Sequence, residues 1–449
     1  MIKKNIFLKN GLAAFLQKII KTIDQLILIP FFITAWGAGF YGDWLTIMVV
    51  PTIIGFSDMG FGTSAANYFV LERAAGNKKN SEDIFASGFF AISVVVFLGI
   101  ILSIGILIFG ANLKIFSMSL IPTKDAIFAV SAMMAARFFA FYQQLYEARF
   151  NAARKSYLSI LAQASYSLFG MIVNIVILSM GFGVVVFSFA NLVVTVIYTV
   201  LYVVFAKKVL PVDLKTKPVV NKSDLRKIFK NGIAYLMAPV WQAIFFQGTT
   251  IVVRVILGPV AVTVFNTVRT VTRVVNQVYT MIISATLSEL QFEIGRGNFL
   301  SARKIFRIGL LLTFLIAFLG MILLFFFGEY VYEFWTKKSL NPSPSIWNIF
   351  ILGILFNSLW WPASFVFQAA NKPRDLAISG VIAAIISVAT SYFLTVIYGL
   401  SGAAVGSVMM DFLLCLYVLP RSCKLIGQSI FNLPREIFND ARKLLTINN

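Results

Sequence analysis

The sequence predicts an all-α integral membrane protein in which twelve transmembrane helices form two parallel repeats of six. Composition is the first indication, because 59% of the 449 residues are hydrophobic and only 12% are charged. A chain with that balance is typical of membrane proteins rather than of soluble globular ones. The second indication is a set of twelve apolar stretches long enough to cross a hydrocarbon core of about 30 Å. An internal duplication of the chain is the third.

The predicted spans follow one another along the whole chain. They lie at residues 11–35, 41–67, 84–110, 125–146, 157–180, 184–206, 233–257, 261–287, 305–328, 346–368, 376–398 and 402–420. The N-terminal lobe is expected within 1–206, a charged cytoplasmic linker at 207–230 and the C-terminal lobe at 231–421. Residues 422–449 alternate apolar and charged side chains. This pattern favours an amphipathic helix on the inner membrane surface near anionic lipids, with a solvated tail as the alternative.

The duplication keeps a constant offset of 221 residues. Lys9-Asn10-Gly11 recurs as Lys230-Asn231-Gly232, since 230 − 9 = 221. Without a gap, the same offset pairs Gly37 with Gly258, Glu72 with Glu293, Gly76-Asn77 with Gly297-Asn298, Gly88 with Gly309 and Gly99 with Gly320. Because each half has an even number of spans, both halves enter the membrane from the same side. Internal duplication is typical of secondary transporters, whose sites lie near the bilayer midplane at the repeat interface.

The basic residues are distributed as a membrane topology requires. If the N-terminus is cytoplasmic, 28 of the 38 Lys and Arg residues lie on inner segments, four on outer segments and six inside spans. This bias follows the positive-inside rule and predicts that both termini are cytoplasmic. It also explains the net charge of +20 without a nucleic-acid partner.

Short uncharged turns are expected at the outer ends of paired spans. They are Gly37-Ala38-Gly39, Gly181-Phe182-Gly183, Gly258-Pro259 and Gly399-Leu400-Ser401-Gly402. Glycine suits such turns because it accepts backbone angles that other residues rarely adopt.

Metal and redox chemistry is not expected. The chain has two Cys residues, Cys415 in the last span and Cys423 just after it, and no His. These residues offer neither a disulfide framework nor a metal site, so no cofactor or metal ion is predicted.

Six basic residues inside the spans are the first candidates for function. They are Lys18, Lys21, Arg137, Arg254, Arg269 and Arg273. Each costs roughly 2.5–3.5 kcal/mol on insertion scales, so it is expected to face a wet cavity or a partner. Lys18 and Arg254 lie near helix ends, where they either extend to the interface or contact a substrate on its way in or out. The other four are expected to line a cavity, with a structural ion pair as the alternative.

The duplication does not extend to these cations. At the offset of 221, Lys21 falls on Gln242, Arg269 on Met48 and Arg273 on Thr52. A symmetric scaffold with an asymmetric positive charge suits an anionic substrate. Arginine binds phosphate well because its planar guanidinium presents paired donors.

Carboxylates inside the spans are candidates for ion coupling or gating. They are Asp24, Asp58 and Asp411, together with Glu147 near a span end. Buried carboxylates commonly carry coupling ions. Asp24 is also placed to pair with Lys21 on the same helix. Asp58 precedes the glycine-containing stretch Met59-Gly60-Phe61-Gly62, so a structural or gating role is the alternative for it.

Several short motifs resemble the Wzx-like O-antigen flippases of the superfamily that includes the MATE exporters. They are Asp58-Met59-Gly60-Phe61-Gly62, the loop from Glu72 to Asn77, its repeat from Glu293 to Asn298, and Asn151-Ala152-Ala153-Arg154-Lys155 matched by Ala369-Ala370-Asn371-Lys372-Pro373. The resemblance implies a MATE-like, V-shaped bundle of two lobes in the bacterial inner membrane. It also implies flipping of an undecaprenyl-diphosphate-linked oligosaccharide, such as an O-antigen or capsule unit, to the outer leaflet. Polysaccharide polymerase and chain-length proteins are the partners that such a flippase would have.

Two alternatives remain. One is a MATE-like multidrug exporter coupled to H⁺ or Na⁺, although a carrier of cations is expected to prefer acidic residues in its cavity. The other is a membrane glycosyltransferase or polymerase that acts on lipid-linked sugars. An enzyme of that kind needs a positioned acid or base, usually on a sizeable outer loop, and the sequence has neither His nor such a loop.

Overall fold

A computed structural model describes residues 2–56, 60–112, 119–211, 218–370 and 372–446 of the chain. Within these ranges the chain forms fourteen α-helices and no β-strand. They are α1 (Ile2–Ile47), α2 (Val49–Phe56), α3 (Phe61–Ala74), α4 (Lys78–Asn112), α5 (Thr123–Ala152), α6 (Ser156–Ser179), α7 (Val184–Val209), α8 (Lys222–Leu257), α9 (Pro259–Gly295), α10 (Phe299–Trp335), α11 (Pro344–Ala369), α12 (Pro373–Tyr398), α13 (Leu400–Leu425) and α14 (Leu433–Thr446). The predicted all-α fold is confirmed.

The helices correspond to the predicted spans in order. Helix α1 contains the first span and the start of the second, with a kink at Gly37, and α2 and α3 complete the second span. Helices α4 to α13 are the remaining ten spans, and α14 is the predicted tail helix. Ten described segments are long and apolar enough to cross a membrane, and Lys9–Gly55 alone covers two predicted spans. Helix α9 is not among them, which agrees with the polar and charged side chains that it carries.

The glycines of the predicted outer turns adopt left-handed backbone angles. The φ angles are 75° at Gly37, 74° at Gly181, 85° at Gly258 and 61° at Gly399. A side chain is strained in this region of backbone space, which explains why glycine occupies the ends of these helices.

The turn that follows α3 recurs after α9. The Asn77 side-chain amide donates to Glu72 Oε2 at 2.9 Å, and that of Asn298 donates to Glu293 Oε2 at 2.6 Å. Both turns contain a left-handed glycine, Gly76 or Gly297, at the offset of 221. Hydrogen bonds from Asn80 and Asn77 lower the pKa of Glu72. The sequence repeat is therefore also a repeat of hydrogen bonding.

The chain divides into two compact units, Met1–Ala243 and Ile244–Asn449, and the division falls inside α8. The sequence predicts that the linker ends at residue 230, whereas the structure divides the chain after Ala243. In the structure, the backbone amide of Val219 donates to Asp83 of α4 at 2.8 Å, and Asn231 of α8 donates to Tyr68 of α3 at 2.5 Å. These contacts fix the start of α8 within the first unit, which we call unit 1; Ile244–Asn449 is unit 2.

Candidate functional site

In unit 2, the buried Arg269 of α9 is held by polar groups of α8 and α9. Its guanidinium donates to the hydroxyls of Thr249 and Thr250 at 2.9 and 3.3 Å, and it also donates to the side-chain oxygen of Asn266. The rings of Phe246 and Phe265 lie 5.0 and 5.1 Å from its guanidinium carbon. Arg269 therefore ties α9 to α8, and its side chain is only 8% exposed.

Arg273, one turn further along α9, has a different environment. Its guanidinium carbon lies 4.4 Å from the centre of the Phe246 ring, and no hydrogen bond from it to another described residue is found. Arg273 interacts electrostatically with Asp411 of α13, but the two do not form a close ion pair within the described structure. Its donors are thus available to a bound group, which distinguishes it from Arg269.

Asp411 of α13 is held by two donors of α11. Its Oδ1 atom accepts hydrogen bonds from the Asn357 amide at 2.6 Å and from the Trp360 indole at 2.8 Å, both on α11. The hydroxyl of Tyr279 on α9, which is fully buried, donates in turn to the side-chain oxygen of Asn357. A polar chain thus runs from α9 through α11 to α13.

A small cavity of about 20 Å³ joins these groups. Its lining includes Arg269, Arg273, Asn276, Ser407 and Asp411. The side-chain oxygen of Asn276 is buried and has no hydrogen-bond partner among the residues that the structure describes. Two guanidinium groups and one carboxylate leave a positive balance, and the volume suffices for a water molecule or a single polar group. Unit 2 therefore contains a cationic polar site whose chemistry favours an anion.

In unit 1, a second polar network surrounds Glu147 of α5. The Gln163 amide of α6 donates to Glu147 Oε2 at 3.3 Å, and Gln163 itself accepts from Gln17 of α1 at 2.9 Å. Ser159 of α6 bonds to the Tyr202 hydroxyl of α7 at 2.8 Å. The carboxylate thus belongs to a network that links four helices.

The charged residues of α1 do not form the predicted pair. In the described structure Asp24 and Lys21 make no ion pair, and Asp24 Oδ1 is buried without a hydrogen-bond partner. Lys21 is exposed and Lys18 half-buried. Lys21 instead interacts electrostatically with Glu147. The pairing that their spacing on one helix predicts is therefore wrong for the described structure.

The remaining predicted residues lie apart from these networks. Arg137 of α5 is exposed, and its side chain packs against Gly55 of α2. Arg254 is half-buried in the last turn of α8. Asp58 lies outside the described residues. The structure therefore assembles Arg269, Arg273 and Asp411 in unit 2 and associates Lys21 with Glu147 in unit 1.

Several residues of both networks were missed at the level of sequence. Asn357, Tyr279, Gln163 and Gln17 are uncharged, whereas the site residues predicted from the sequence are all charged. The sequence nevertheless contains a signal for these residues, because an amide or hydroxyl in an apolar span also requires a hydrogen-bond partner.

Comparisons with known proteins agree with this fold. The MatE family profile matches residues 236–393. No curated protein sequence matches the chain. An inward-facing multidrug resistance MATE family transporter of the MOP superfamily is similar with a TM-score of 0.78 and 15% identity, over 92% of this chain and 98% of that chain. An outward-facing multidrug resistance MATE family transporter gives a TM-score of 0.63 and 16% identity, over 94% and 96% of the two chains.

A third similar structure differs in the polarity of its binding pocket. It is a MOP superfamily transporter from Pyrococcus furiosus Vc1 whose binding pocket has reverse polarity, which suggests a different function for that protein. It matches with a TM-score of 0.62 and 16% identity, over 96% of each chain. The chain described above is a multi-pass membrane protein with the fold of the MATE transporters of the MOP superfamily.

Proposed function

We propose that this protein is a secondary transporter that moves its substrate across the bacterial inner membrane by alternating access. The observation that carries the proposal is the polar network inside each of two duplicated helical units, one around Glu147 and one around Arg273 and Asp411. Intramembrane ionisable residues are costly and usually mark a substrate or ion pathway. The similarity to MATE transporters in both inward- and outward-facing conformations supports the same conclusion. Both termini are expected in the cytoplasm.

For the transported compound, the first candidate is an organic solute exported in exchange for H⁺ or Na⁺. The similar multidrug resistance transporters favour this candidate. In this account Glu147 is the coupling carboxylate, because it is held by a neutral amide and lies on a network that reaches four helices. Asp411, whose Oδ2 atom accepts no hydrogen bond from a described residue, is the corresponding candidate in unit 2. Asp24 and Asp58 remain further candidates for ion coupling or gating.

A second candidate is an undecaprenyl-diphosphate-linked oligosaccharide. Arg273 favours it, because a guanidinium with available donors in a positive cavity suits a phosphate better than an organic cation. The reverse polarity of the Pyrococcus furiosus pocket offers a precedent for a changed substrate on this fold. In this account Lys21, Arg137 and Arg269 contribute positive potential, and Lys18 and Arg254 contact the substrate at the two membrane surfaces. Polysaccharide polymerase and chain-length proteins would be its partners.

The two candidates are separated by transport in proteoliposomes. Vesicles with the purified protein are given either a fluorescent lipid-linked diphosphate oligosaccharide or a fluorescent organic cation, with and without an imposed H⁺ or Na⁺ gradient. Movement of the lipid-linked sugar that is lost in Arg273→Gln supports the flippase, whereas gradient-driven cation export supports the exporter. Arg421→Gln is the matched control, because Arg421 is an exposed residue of α13 outside the cavity. If neither probe moves faster than in empty vesicles, both candidates are rejected.

A further inference from the structure

Helix α14 is fixed to unit 2 by two arginines of α10. The Arg307 guanidinium donates to Glu436 Oε2 at 2.7 Å and to Asp440 Oδ2 at 2.6 Å. It also donates to Gln428 in the preceding turn at 2.9 Å, while Arg303 donates to the backbone oxygen of Ile426 at 2.9 Å. The helix is therefore part of unit 2, and its orientation about its own axis is set by these bonds.

This orientation separates the charges of α14. Leu433, Glu436 and Asp440 occupy one face at helical spacing and turn toward α10, with Leu433 only 5% exposed. Both described carboxylates of the helix are thereby neutralised by Arg307. The opposite side carries Arg435 and Arg442, which are exposed. The surface that α14 turns away from α10 is therefore basic.

Two aromatic side chains lie beside these cations. Phe438 is 69% exposed on α14, and Phe431 is 91% exposed in the turn before it. On a helix of 3.6 residues per turn, Phe438 projects roughly 40–60° from Arg435 and Arg442 and nearly opposite the face that packs on α10. An exposed aromatic flank next to a row of cations is the arrangement of an interfacial helix, which buries rings at the acyl boundary and places cations among head groups.

The neighbouring surface has the same character. Lys304 of α10 and Lys424 at the end of α13 are exposed near the residues to which α14 is attached. The distribution of Lys and Arg along the chain predicts that this end of the helices lies at the inner leaflet. The segments of α10 and α13 that are long and apolar enough to cross a membrane lead directly into this surface, so it is expected to lie at the bilayer boundary.

We infer that α14 is an interfacial helix that binds acidic phospholipids, with Phe431 and Phe438 at the acyl boundary and Arg435 and Arg442 on the lipid phosphates. The occupant is a lipid leaflet rather than a protein because the cations and the rings are adjacent, and because the helix continues from membrane spans. Anionic head groups complement the exposed cations, whereas the carboxylates of the helix are already occupied by Arg307. This inference does not depend on the transported compound.

The experiment uses the full chain in lipid nanodiscs. In a Cys415→Ala, Cys423→Ala background, an environment-sensitive fluorophore is attached at Phe438→Cys or, as the matched control, at Asn439→Cys. Asn439 is exposed, and its side chain projects about 100° around the helix axis from that of Phe438. Quenching by nitroxide-labelled lipid is measured in phosphatidylcholine and in a mixture in which a third of the lipid is phosphatidylglycerol.

The expected result is stronger quenching at position 438 than at 439, with an increase at 438 when phosphatidylglycerol is present. Adding Arg435→Gln and Arg442→Gln should remove that increase, because each cation near an anionic surface contributes roughly a fivefold preference. Equal quenching at both positions would overturn the inference. Quenching at 438 that changes neither with phosphatidylglycerol nor with the two arginine substitutions would overturn it as well. A label at 438 that is equally shielded in detergent would show that protein covers it, which is also contrary to the inference.

Discussion

The two units share a frame but differ in their polar interiors. Gly37 and Gly258 turn the chain in the same left-handed way, and the hydrogen-bonded turns at Asn77 and Asn298 recur at the same offset of 221. At that offset, the residues around Arg269 in unit 2 have apolar counterparts in unit 1. Arg269 falls on Met48, Asn266 on Leu45, Thr249 on Leu28 and Thr250 on Ile29.

The reverse holds for the network of unit 1. Lys155 and Lys372 both precede a helix with similar backbone angles, which sets the offset there to 372 − 155 = 217. The motif that begins at Asn151 and its match that begins at Ala369 are offset by 369 − 151 = 218, which is one residue more than this. At 217, Glu147 falls on Ser364 and Gln163 on Gly380, so unit 2 lacks the carboxylate and the amide. The scaffold is thus repeated while its polar residues are not, because the two arginines lie in unit 2 and the half-buried Glu147 with its amide partner Gln163 lies in unit 1.

The largest expected effect comes from Asp411. Asp411→Leu leaves the Asn357 amide and the Trp360 indole without their acceptor and Arg273 without its nearby charge. The expected loss of stability is about 1–3 kcal/mol for each buried donor that is left without its acceptor. Asp411→Asn retains an acceptor oxygen and should lose much less. Thermal unfolding in detergent measures both variants, and equal losses would contradict the role given to these hydrogen bonds.

Arg269→Met replaces this arginine by the residue that its repeat position carries in unit 1. The change removes the hydrogen bonds to Thr249, Thr250 and Asn266 but also a buried charge without a carboxylate partner among the described residues, so the two effects partly offset and the loss of stability should be about 1–3 kcal/mol. Transport should nevertheless fall, because the cavity loses a positive charge. Thermal unfolding and proteoliposome transport are measured together; a large destabilisation with unchanged transport would show a purely structural arginine.

Glu147→Gln tests the network of unit 1. The variant keeps the shape of the side chain and can still bond to Gln163, but it cannot exchange a proton or bind a cation as a carboxylate does. The response of transport to an ion gradient should fall roughly tenfold, the scale of a coupling free energy of 1–3 kcal/mol. Glu333→Gln, at an exposed position near the C-terminal end of α10, is the control. An unchanged gradient response would remove Glu147 from ion coupling.

Gly76→Ala and Gly297→Ala compare the repeated turns directly. Each substitution forces a side chain into the left-handed region and should cost roughly 1–2 kcal/mol. Neither position has another group within reach of an added methyl group, so the two costs should be similar. Thermal unfolding of the two variants checks this. Clearly unequal losses would show that the turns, despite matching hydrogen bonds, are held differently in the two units.

The smallest effect concerns Glu72. Because hydrogen bonds from Asn80 and Asn77 lower its pKa, Glu72 contributes stability above its ordinary pKa and loses that contribution as pH falls through the lowered pKa. Asn77→Ala should therefore destabilise the protein slightly at neutral pH and less in acid. Thermal unfolding of wild type and variant as a function of pH measures the difference. A difference that grows in acid would contradict the assigned sign.

The sequence predicts the fold well because hydrophobic length, positive charge at one surface and the repeated glycines each constrain it independently. It predicts the site only in part. In the sequence, Arg269 and Arg273 are two similar arginines one helical turn apart. Only the structure shows that Arg269 donates to threonine hydroxyls, whereas Arg273 packs on a phenylalanine ring and makes no hydrogen bond to a described residue. The boundary between the two units, which lies within α8, likewise cannot be predicted from the sequence, because it depends on contacts of Asn231 with another helix.

We propose that the two units divide the work, with Arg273 binding the transported compound and Glu147 coupling its movement to an ion. The most direct test compares gradient-free exchange with gradient-driven transport in the same proteoliposomes, using whichever probe wild type moves. Arg273→Gln should abolish both activities, whereas Glu147→Gln should retain exchange and lose the response to the gradient. Equal loss of both activities in the two variants, at normal folding and insertion, would contradict the division.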